Sequence, residues 1–239
     1  SANSKRTAVF VQFGGSDHEV ETALDEIKNS ISSENLEVLV TGSLVINKDF
    51  DRLLEQDQLR AEIIGLPISF VILLFVFGTF TAAVLPMAIV ALMLPLAIGL
   101  SFYISGHFPM TQYSTSMISL IGIAVSIDYS LFMISRFREE IDAGASTEDA
   151  IATMMDTAGR AILYSGATVA VGLCSLFYFT QTHMPSMGMG AFLAVLGALL
   201  YSLTILPALL SYLGPRINSL RVPIPGANRK SIFWEKFST

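Results

Sequence analysis

One carboxylate lies in the middle of a long apolar run, and its position makes it the residue best suited to chemistry. Asp128 occurs in the segment 122–130, which reads Gly-Ile-Ala-Val-Ser-Ile-Asp-Tyr-Ser. A charged side chain inside a bilayer is costly and usually marks a path for ions or protons. Burial favours the neutral form of a carboxyl group, so Asp128 is suited to bind a proton on one side of a membrane and release it on the other. The alternative is a structural hydrogen bond to a neighbouring helix, which Asn or Ser could make without the cost of a charge.

Hydroxyl-bearing residues are the candidate neighbours of Asp128. The residues three and four positions away on its own helix are apolar, so a polar partner must come from another helix. A set of hydroxyl groups can relay a proton, and the same groups can instead hold helices together through hydrogen bonds. Both interpretations apply to the following candidates: Ser126, Tyr164, Ser165, Thr168 and Thr204.

A stripe of small residues on the helix of Asp128 predicts close helix packing. Ser119, Gly122 and Ser126 follow one another at spacings of three and four, which places them on one face. Small side chains permit two membrane helices to approach closely. This stripe is also a face through which two copies of the chain could dimerise.

The rest of the sequence offers little for catalysis. It contains no set of nucleophile, base and orienting group and no glycine loop that ends in Lys and Ser or Thr, so we expect neither an enzyme nor ATP as the energy source. Gly188-Met-Gly190 opens an apolar span and follows no predicted strand, which argues against a nucleotide site. Cys174 is the single cysteine, and His107 and His183 lie on separate loops where we expect them to be solvated. We therefore expect no metal site and no cofactor.

The composition of the 239 residues indicates a membrane protein. Hydrophobic residues make up 52% and charged residues 14%, whereas about a quarter of the residues of an ordinary soluble domain are charged. The formal net charge is -6, and a nucleic-acid-binding protein would need a basic surface. We therefore expect membrane lipids as partners and no nucleic acid. More than half of the acidic residues lie within 1–62, which predicts a water-exposed segment there.

Residues 1–62 have the pattern of a small α+β unit outside the membrane. Short β-branched and aromatic runs at 7–13 and 36–40 predict two strands, and apolar residues at helical spacing within 17–31 predict a helix between them. A second helical pattern follows and contains no Gly or Pro before Gly65. We expect this βαβ-like segment to end in a helix that continues into the membrane.

Five apolar stretches follow, each close to the roughly 20 residues that cross a bilayer. Lys and Arg accumulate on cytoplasmic loops, and here they occur in the segment 136–160 and in the tail. We therefore predict that 1–62 is extracytoplasmic, that 136–160 is cytoplasmic with a short helix on the inner leaflet after Ser146, and that 214–239 is a cytoplasmic interfacial tail. The bundle covers 63–213, with predicted spans at 63–80, 82–105, 114–135, 161–180 and 187–213.

Seven short motifs occur in a fixed order along nearly the whole chain. They are Gly65-Leu-Pro67, Phe75-Val-Phe-Gly78, Gly122-Ile-Ala-Val-Ser-Ile-Asp128-Tyr129, Arg136-Phe-Arg-Glu-Glu140, Gly159-Arg160, Ser165-Gly-Ala-Thr-Val169 and Thr204-Ile-Leu-Pro-Ala-Leu-Leu210. On these motifs the chain resembles the MMPL family of the RND transporter superfamily.

The resemblance implies a polytopic α-helical membrane protein, in which five transmembrane helices follow the end of an external α+β porter domain. It also implies two homologous halves, of which this chain looks like part of the first. In such a protein Asp128 and Tyr129 act in proton relay and face a partner Asp-Tyr pair, which the missing second half or a homologous chain would supply. The implied activity is proton-driven export of lipids or amphiphilic compounds, the implied partners are protons and a lipidic substrate, and the implied location is the bacterial plasma membrane.

Two alternatives remain open from the sequence. The five-span core is also similar to the sterol-sensing domain, which favours a lipid-binding module that does not transport. A second alternative is a subunit that assists protein export, as in the SecDF branch of the same superfamily. The Asp128-Tyr129 pair favours the MMPL branch over the SecDF branch.

Overall fold

The structure, a computed structural model, describes residue 26, residues 41–180 and residues 182–221. The predicted strands at 7–13 and 36–40 lie outside these described residues, as does the end of the tail. Within the described residues, five helical segments are long and apolar enough to cross a membrane, which confirms the predicted number of spans. They are Val45–Phe77, Phe80–Ser105, Gln112–Asp142, Thr147–Tyr178 and Met184–Asn218.

Three segments extend well beyond the predicted spans because their helices continue through charged residues: Val45–Phe77, Gln112–Asp142 and Thr147–Tyr178. The chain divides into two compact units, Ser1–Asp57 and Gln58–Thr239, and the bundle described below belongs to the second. The helices are α1 (Ser43–Phe77), α2 (Phe80–Ser105), α3 (Gln112–Asp142), α4 (Thr147–Met154), α5 (Arg160–Cys174), α6 (Met184–Leu203) and α7 (Ile205–Leu213). A π-helical turn (Met155–Gly159) joins α4 to α5, and 3-10 turns cover Ser175–Tyr178 and Gly214–Asn218.

Helices α3 and α6 approach each other closely at glycine residues. A Cβ atom on Gly190 would lie 2.3 Å from the backbone oxygen of Ser114, and one on Gly122 would lie 3.5 Å from the Cβ of Ala194. The Ser186 hydroxyl also accepts hydrogen bonds from the backbone N–H (2.7 Å) and the hydroxyl (2.9 Å) of the residue preceding α3, Thr111. Residue numbers rise together along both helices at these contacts, so α3 and α6 run in the same direction.

The small-residue stripe of α3 is therefore used inside the bundle. Ser119 is 4% exposed and Ser126 is fully buried, and Gly122 packs against Met93 of α2 as well as against α6. The suggestion that two copies of the chain dimerise through Gly122 and Ser126 is wrong, because other helices of the same chain already cover this face.

The helix predicted after Ser146 begins where expected and packs against the bundle. The Ser146 hydroxyl accepts a hydrogen bond from the backbone N–H of Asp149 at 3.1 Å, as an N-cap does. Ala150 and Met154 are fully buried in the core of the bundle. The π-helical turn then carries the chain into α5 without a break, so α4 and α5 form one continuous helical segment.

Arg138, near the end of α3, connects three segments of the chain. Its guanidinium donates to the backbone oxygen of Phe77 at 2.7 Å and to the side-chain oxygen of Asn218 at 2.8 Å. The Asn218 amide in turn donates to Asp142 at 3.0 Å. The Phe77 carbonyl belongs to the last turn of α1, where helical carbonyls lack partners further along the helix. Arg138 therefore holds the end of α1 and the segment after α7 against α3.

The segment after α7 also pairs with the turn between α1 and α2. The backbone N–H of Phe80 donates to the carbonyl of Leu220 at 3.2 Å, and Thr79 forms an antiparallel bridge with Arg221. The hydroxyls of Thr81 and Ser219 lie 3.0 Å apart. The α1–α2 turn is thus hydrogen-bonded to residues 219–221, on the side of the bundle where Arg138 lies.

Replacing Gly190 by Ala should destabilise the protein, because the new methyl group collides with the backbone of Ser114. We expect a loss of about 1–3 kcal/mol in the free energy of unfolding, measured as a lower unfolding midpoint in detergent. Gly172→Ala is the matched control, since nothing lies within 4 Å of a Cβ atom at Gly172. Equal unfolding midpoints for the two variants would contradict the close packing of α3 and α6.

Arg138→Lys should destabilise the protein by about 1–3 kcal/mol, because lysine cannot make both directional hydrogen bonds to separate segments. The control is Arg136→Lys on the same helix, because the salt bridges of Arg136 among the described residues are to Glu139 and Glu140 of its own helix. Such pairs contribute about 0.5 kcal/mol or less. Thermal unfolding of both variants measures the difference, and a control as damaging as Arg138→Lys would contradict the role of the connection.

Candidate functional site

Asp128 and Tyr129 lie in the middle of α3 and point in different directions. Successive residues of an α-helix project about 100° apart around its axis. The Tyr129 side chain enters the core of the bundle and is 8% exposed, whereas Asp128 lies on the outer surface of the bundle. The two side chains therefore meet different surroundings although they are adjacent in sequence.

Within the described residues, Asp128 lies on an exposed face of α3. Ala124 and Phe132, four residues before and after it, are also exposed, and Phe132 is 61% exposed. No described helix packs over this face of α3. Among residues 41–180 and 182–221, the Asp128 carboxylate makes no hydrogen bond and no ion pair, consistent with the apolar residues that flank it in the sequence.

Of the hydroxyl candidates, Ser165 is the one that the structure brings to the Asp128-Tyr129 pair. The Ser165 side chain lies near the Tyr129 phenol, between α5 and α3. Ser165 is exposed, and it precedes Gly166, where a Cβ atom would lie 2.6 Å from a methyl carbon of Leu199. The close packing of α5 on α6 at Gly166 thus fixes the position from which Ser165 reaches Tyr129.

Thr168 and Thr204 have hydrogen-bond partners elsewhere, whereas the buried Ser126 hydroxyl makes no hydrogen bond within the described structure. The Thr168 hydroxyl donates to the backbone oxygen of Tyr164 at 2.9 Å, and the Thr204 hydroxyl donates to the backbone oxygen of Leu200. Hydroxyl groups that bond to the preceding turn of their own helix are engaged as donors. Tyr164 is 65% exposed and lies one helical turn after Arg160 on α5.

The two loop histidines lie beside tyrosine rings. The ring centroids of His107 and Tyr103 are 6.4 Å apart, and those of His183 and Tyr113 are 5.3 Å apart. Within the part of the chain that the structure describes, no group of three or more His, Cys, Asp or Glu side chains could hold a metal ion.

Several residues that matter in the structure were not selected from the sequence. The sequence offers Arg138 as part of a motif and as a basic residue of the segment 136–160, and Gly190 as part of a glycine loop. Ser130 and Ser202 are fully buried hydroxyl residues on α3 and α6. The signal for Ser130 is the spacing of four that continues the small-residue stripe from Gly122 through Ser126 to Ser130.

The fold and the site define a multi-pass helical membrane protein with a carboxylate and a phenol at the centre of one span. The sequence matches the model of the MMPL family over residues 1–239. The chain therefore belongs to the MMPL family, as its motifs indicated.

Named relatives of the chain are mycobacterial transport proteins. The trehalose monomycolate exporter MmpL3 of Mycolicibacterium smegmatis is 37% identical over 167 residues, which is 70% of this chain and 16% of that protein. The probable transport protein MmpL11 of Mycobacterium leprae is 36% identical over 187 residues, or 77% of this chain and 18% of that protein. The heme uptake protein MmpL11 of Mycobacterium tuberculosis is 39% identical over 157 residues, or 66% of this chain and 16% of that protein. The chain thus spans less than a fifth of the length of these relatives.

Proposed function

We propose that this chain is part of a transporter, and not of an enzyme, that exports lipids or amphiphilic compounds at the expense of the proton-motive force. The observation that carries the proposal is the placement of Asp128 on an uncovered face of α3, one residue from a buried tyrosine whose phenol lies near Ser165. Asp128 and Tyr129 are the proposed proton relay, with Ser165 as the hydroxyl that orients the phenol.

The uncovered face around Asp128 supports a partner from outside the described bundle. An ionised carboxylate next to exposed apolar side chains such as Phe132 disfavours close packing in a membrane, and protonation removes that cost. A second Asp-Tyr pair, from the rest of the protein or from a homologous chain, is the proposed partner of this face. Loading and unloading of the proton would then change how tightly the two surfaces pack, which is how a proton gradient can drive a conformational equilibrium.

The proposed substrate class follows from the names of the relatives. One is named an exporter of trehalose monomycolate and another a heme uptake protein. Both compounds have large apolar parts joined to polar groups. We therefore propose amphiphilic molecules, lipids foremost, as the substrate class.

The proposed location is the bacterial plasma membrane, with residues 1–62 on the outer side. The basic residues Arg136, Arg138 and Arg160 lie at or near the ends of α3 and α5 on one side of the bundle, where the positive-inside rule predicts the cytoplasm. The loops at 106–111 and 179–183 contain no Lys or Arg and are the proposed outer loops.

Asp128→Asn should abolish proton transport, because the amide has nearly the same shape as the carboxyl group but cannot carry the proton. Removing a proton-transferring group lowers rates by about 100-fold or more. We would measure acidification of liposomes that contain the complete protein, with an entrapped pH-sensitive dye. The control is Asp156→Asn, which removes an exposed carboxylate that pairs with Arg160 at the start of α5. Proton flux in Asp128→Asn equal to that of the parent would refute the proposed function.

Ser165→Ala should lower proton flux by about threefold to tenfold, the equivalent of the one hydrogen bond through which Ser165 is proposed to orient the Tyr129 phenol. Thr168→Ala, one turn further along α5, is the matched control, because the Thr168 hydroxyl donates to its own helix. The same liposome assay distinguishes them. A larger loss of proton flux in Thr168→Ala than in Ser165→Ala would contradict the proposal that Ser165 orients the phenol.

A further inference from the structure

Three serine hydroxyls are sealed inside the bundle without a protein partner. Ser126 and Ser130 on α3 and Ser202 on α6 are each fully buried, and their hydroxyl oxygens make no hydrogen bond within the described structure. Ser126 and Ser130 are four residues apart, so their side chains lie one above the other on the same face of α3.

The register of the two helices brings the three serines to one seam. Gly122 lies opposite Ala194, with 3.5 Å between the Cβ positions. Because the helices run in the same direction, the Ser114–Gly190 and Gly122–Ala194 contacts give two slightly different registers, which put Ser202 at the level of Ser126 and of Ser130 respectively. Ala198 is fully buried, like the serines. Two facing stripes form what we call the serine seam. On α3 the stripe consists of Gly122, Ser126 and Ser130, and on α6 it consists of Ala194, Ala198 and Ser202.

A buried hydroxyl group needs a hydrogen-bond partner, because removing it from water without one is unfavourable. Buried polar groups that lack a protein partner are commonly satisfied by ordered water, which makes two to four hydrogen bonds. Hydroxyls on both sides of the serine seam supply such a set. Hydroxyl groups both donate and accept, which suits water, whereas hard metal cations prefer carboxylate or several carbonyl oxygens. Charged side chains are absent from the two stripes of the seam.

We propose that Ser126, Ser130 and Ser202 hold internal water in the serine seam, and that this water continues the proton path inward from Tyr129. The proton path through the seam rests on the proposed function, whereas the hydration of the seam does not. Tyr129 is adjacent to Ser130 on α3 and is itself buried in the core. A hydrated seam gives the relay a route through the interior of this chain, on the side of α3 away from Asp128.

The variants that test the proposal are Ser130→Ala and Ser202→Ala, each of which removes one hydroxyl from the seam. The control is Thr79→Val, because the Thr79 hydroxyl is also buried and without a partner in the described structure but lies at the α1–α2 turn. We would measure the unfolding midpoint and the proton flux of the complete protein in liposomes. A direct measure of hydration is labelling of the buried Met133, three residues from Ser130, by hydroxyl radicals that a brief X-ray pulse generates from bound water.

Both serine variants should lower proton flux by about tenfold, a change in barrier of about 1.4 kcal/mol, and should reduce the labelling of Met133. Thr79→Val should keep the flux and the labelling of the parent. Parent-like labelling in both serine variants, with unchanged or higher unfolding midpoints, would show a dry seam and overturn the proposal. A flux driven by a sodium gradient, and not by a pH gradient, would overturn the proposal that water occupies the serine seam.

Asp128→Asn in the same assays separates this inference from the proposed function. If that variant keeps parent flux, the proposed function fails, and the Met133 labelling of the serine variants still decides whether the seam holds water. If Asp128→Asn loses flux while both serine variants keep it, the relay stands and the inward path through the seam is overturned.

Discussion

The close approach of α3 and α6 is the constraint on which the rest of the bundle depends. At Gly190 there is no room even for a methyl group between α6 and the backbone of Ser114. Lipid tails are as apolar as the side chains of a membrane helix, so hydrophobic burial does not by itself choose one packing over another. The close approach of the two backbones at glycine residues selects one packing of the helices. It sets the rotation of α3, and this rotation directs Tyr129 into the core and Asp128 to the surface.

At the basic end of the bundle, directional hydrogen bonds take the place of close packing. Arg138 reaches the last turn of α1 and Asn218 in the segment after α7, and the α1–α2 turn pairs with residues 219–221. These contacts join parts of the chain that are distant in sequence. The helix that carries the candidate relay is therefore fixed at its centre by small residues and at its end by a guanidinium, which leaves the face around Asp128 as its open side.

Hydropathy was sufficient to predict the five spans, because each contains an apolar stretch near the length that a bilayer requires. The cost of a charge in a membrane was likewise sufficient to select Asp128. The small-residue stripe of α3 predicted a close helix contact, but the sequence did not reveal that the partner is α6 of the same chain, because apolar helices carry little signal for choosing among neighbours. The partners of Arg138 were hidden for a related reason, since a backbone carbonyl such as that of Phe77 has no signature in the sequence. Ser165 could be proposed as one of several hydroxyls, but only the packing of α5 at Gly166 distinguishes it from Thr168.

The π-helical turn at Met155–Gly159 has a consequence for how this span tolerates changes in length. A π turn accommodates one residue more than an α-helical turn, so everything after it is rotated by about 100° relative to an uninterrupted α-helix. Ile162, Gly166 and Ala170 form the buried face of α5 in that phase. Losing one residue from the turn would keep the span long enough and apolar enough, yet it would turn Ser165 away from Tyr129. In this region the number of residues, as well as their identity, determines which side chains of α5 face α3.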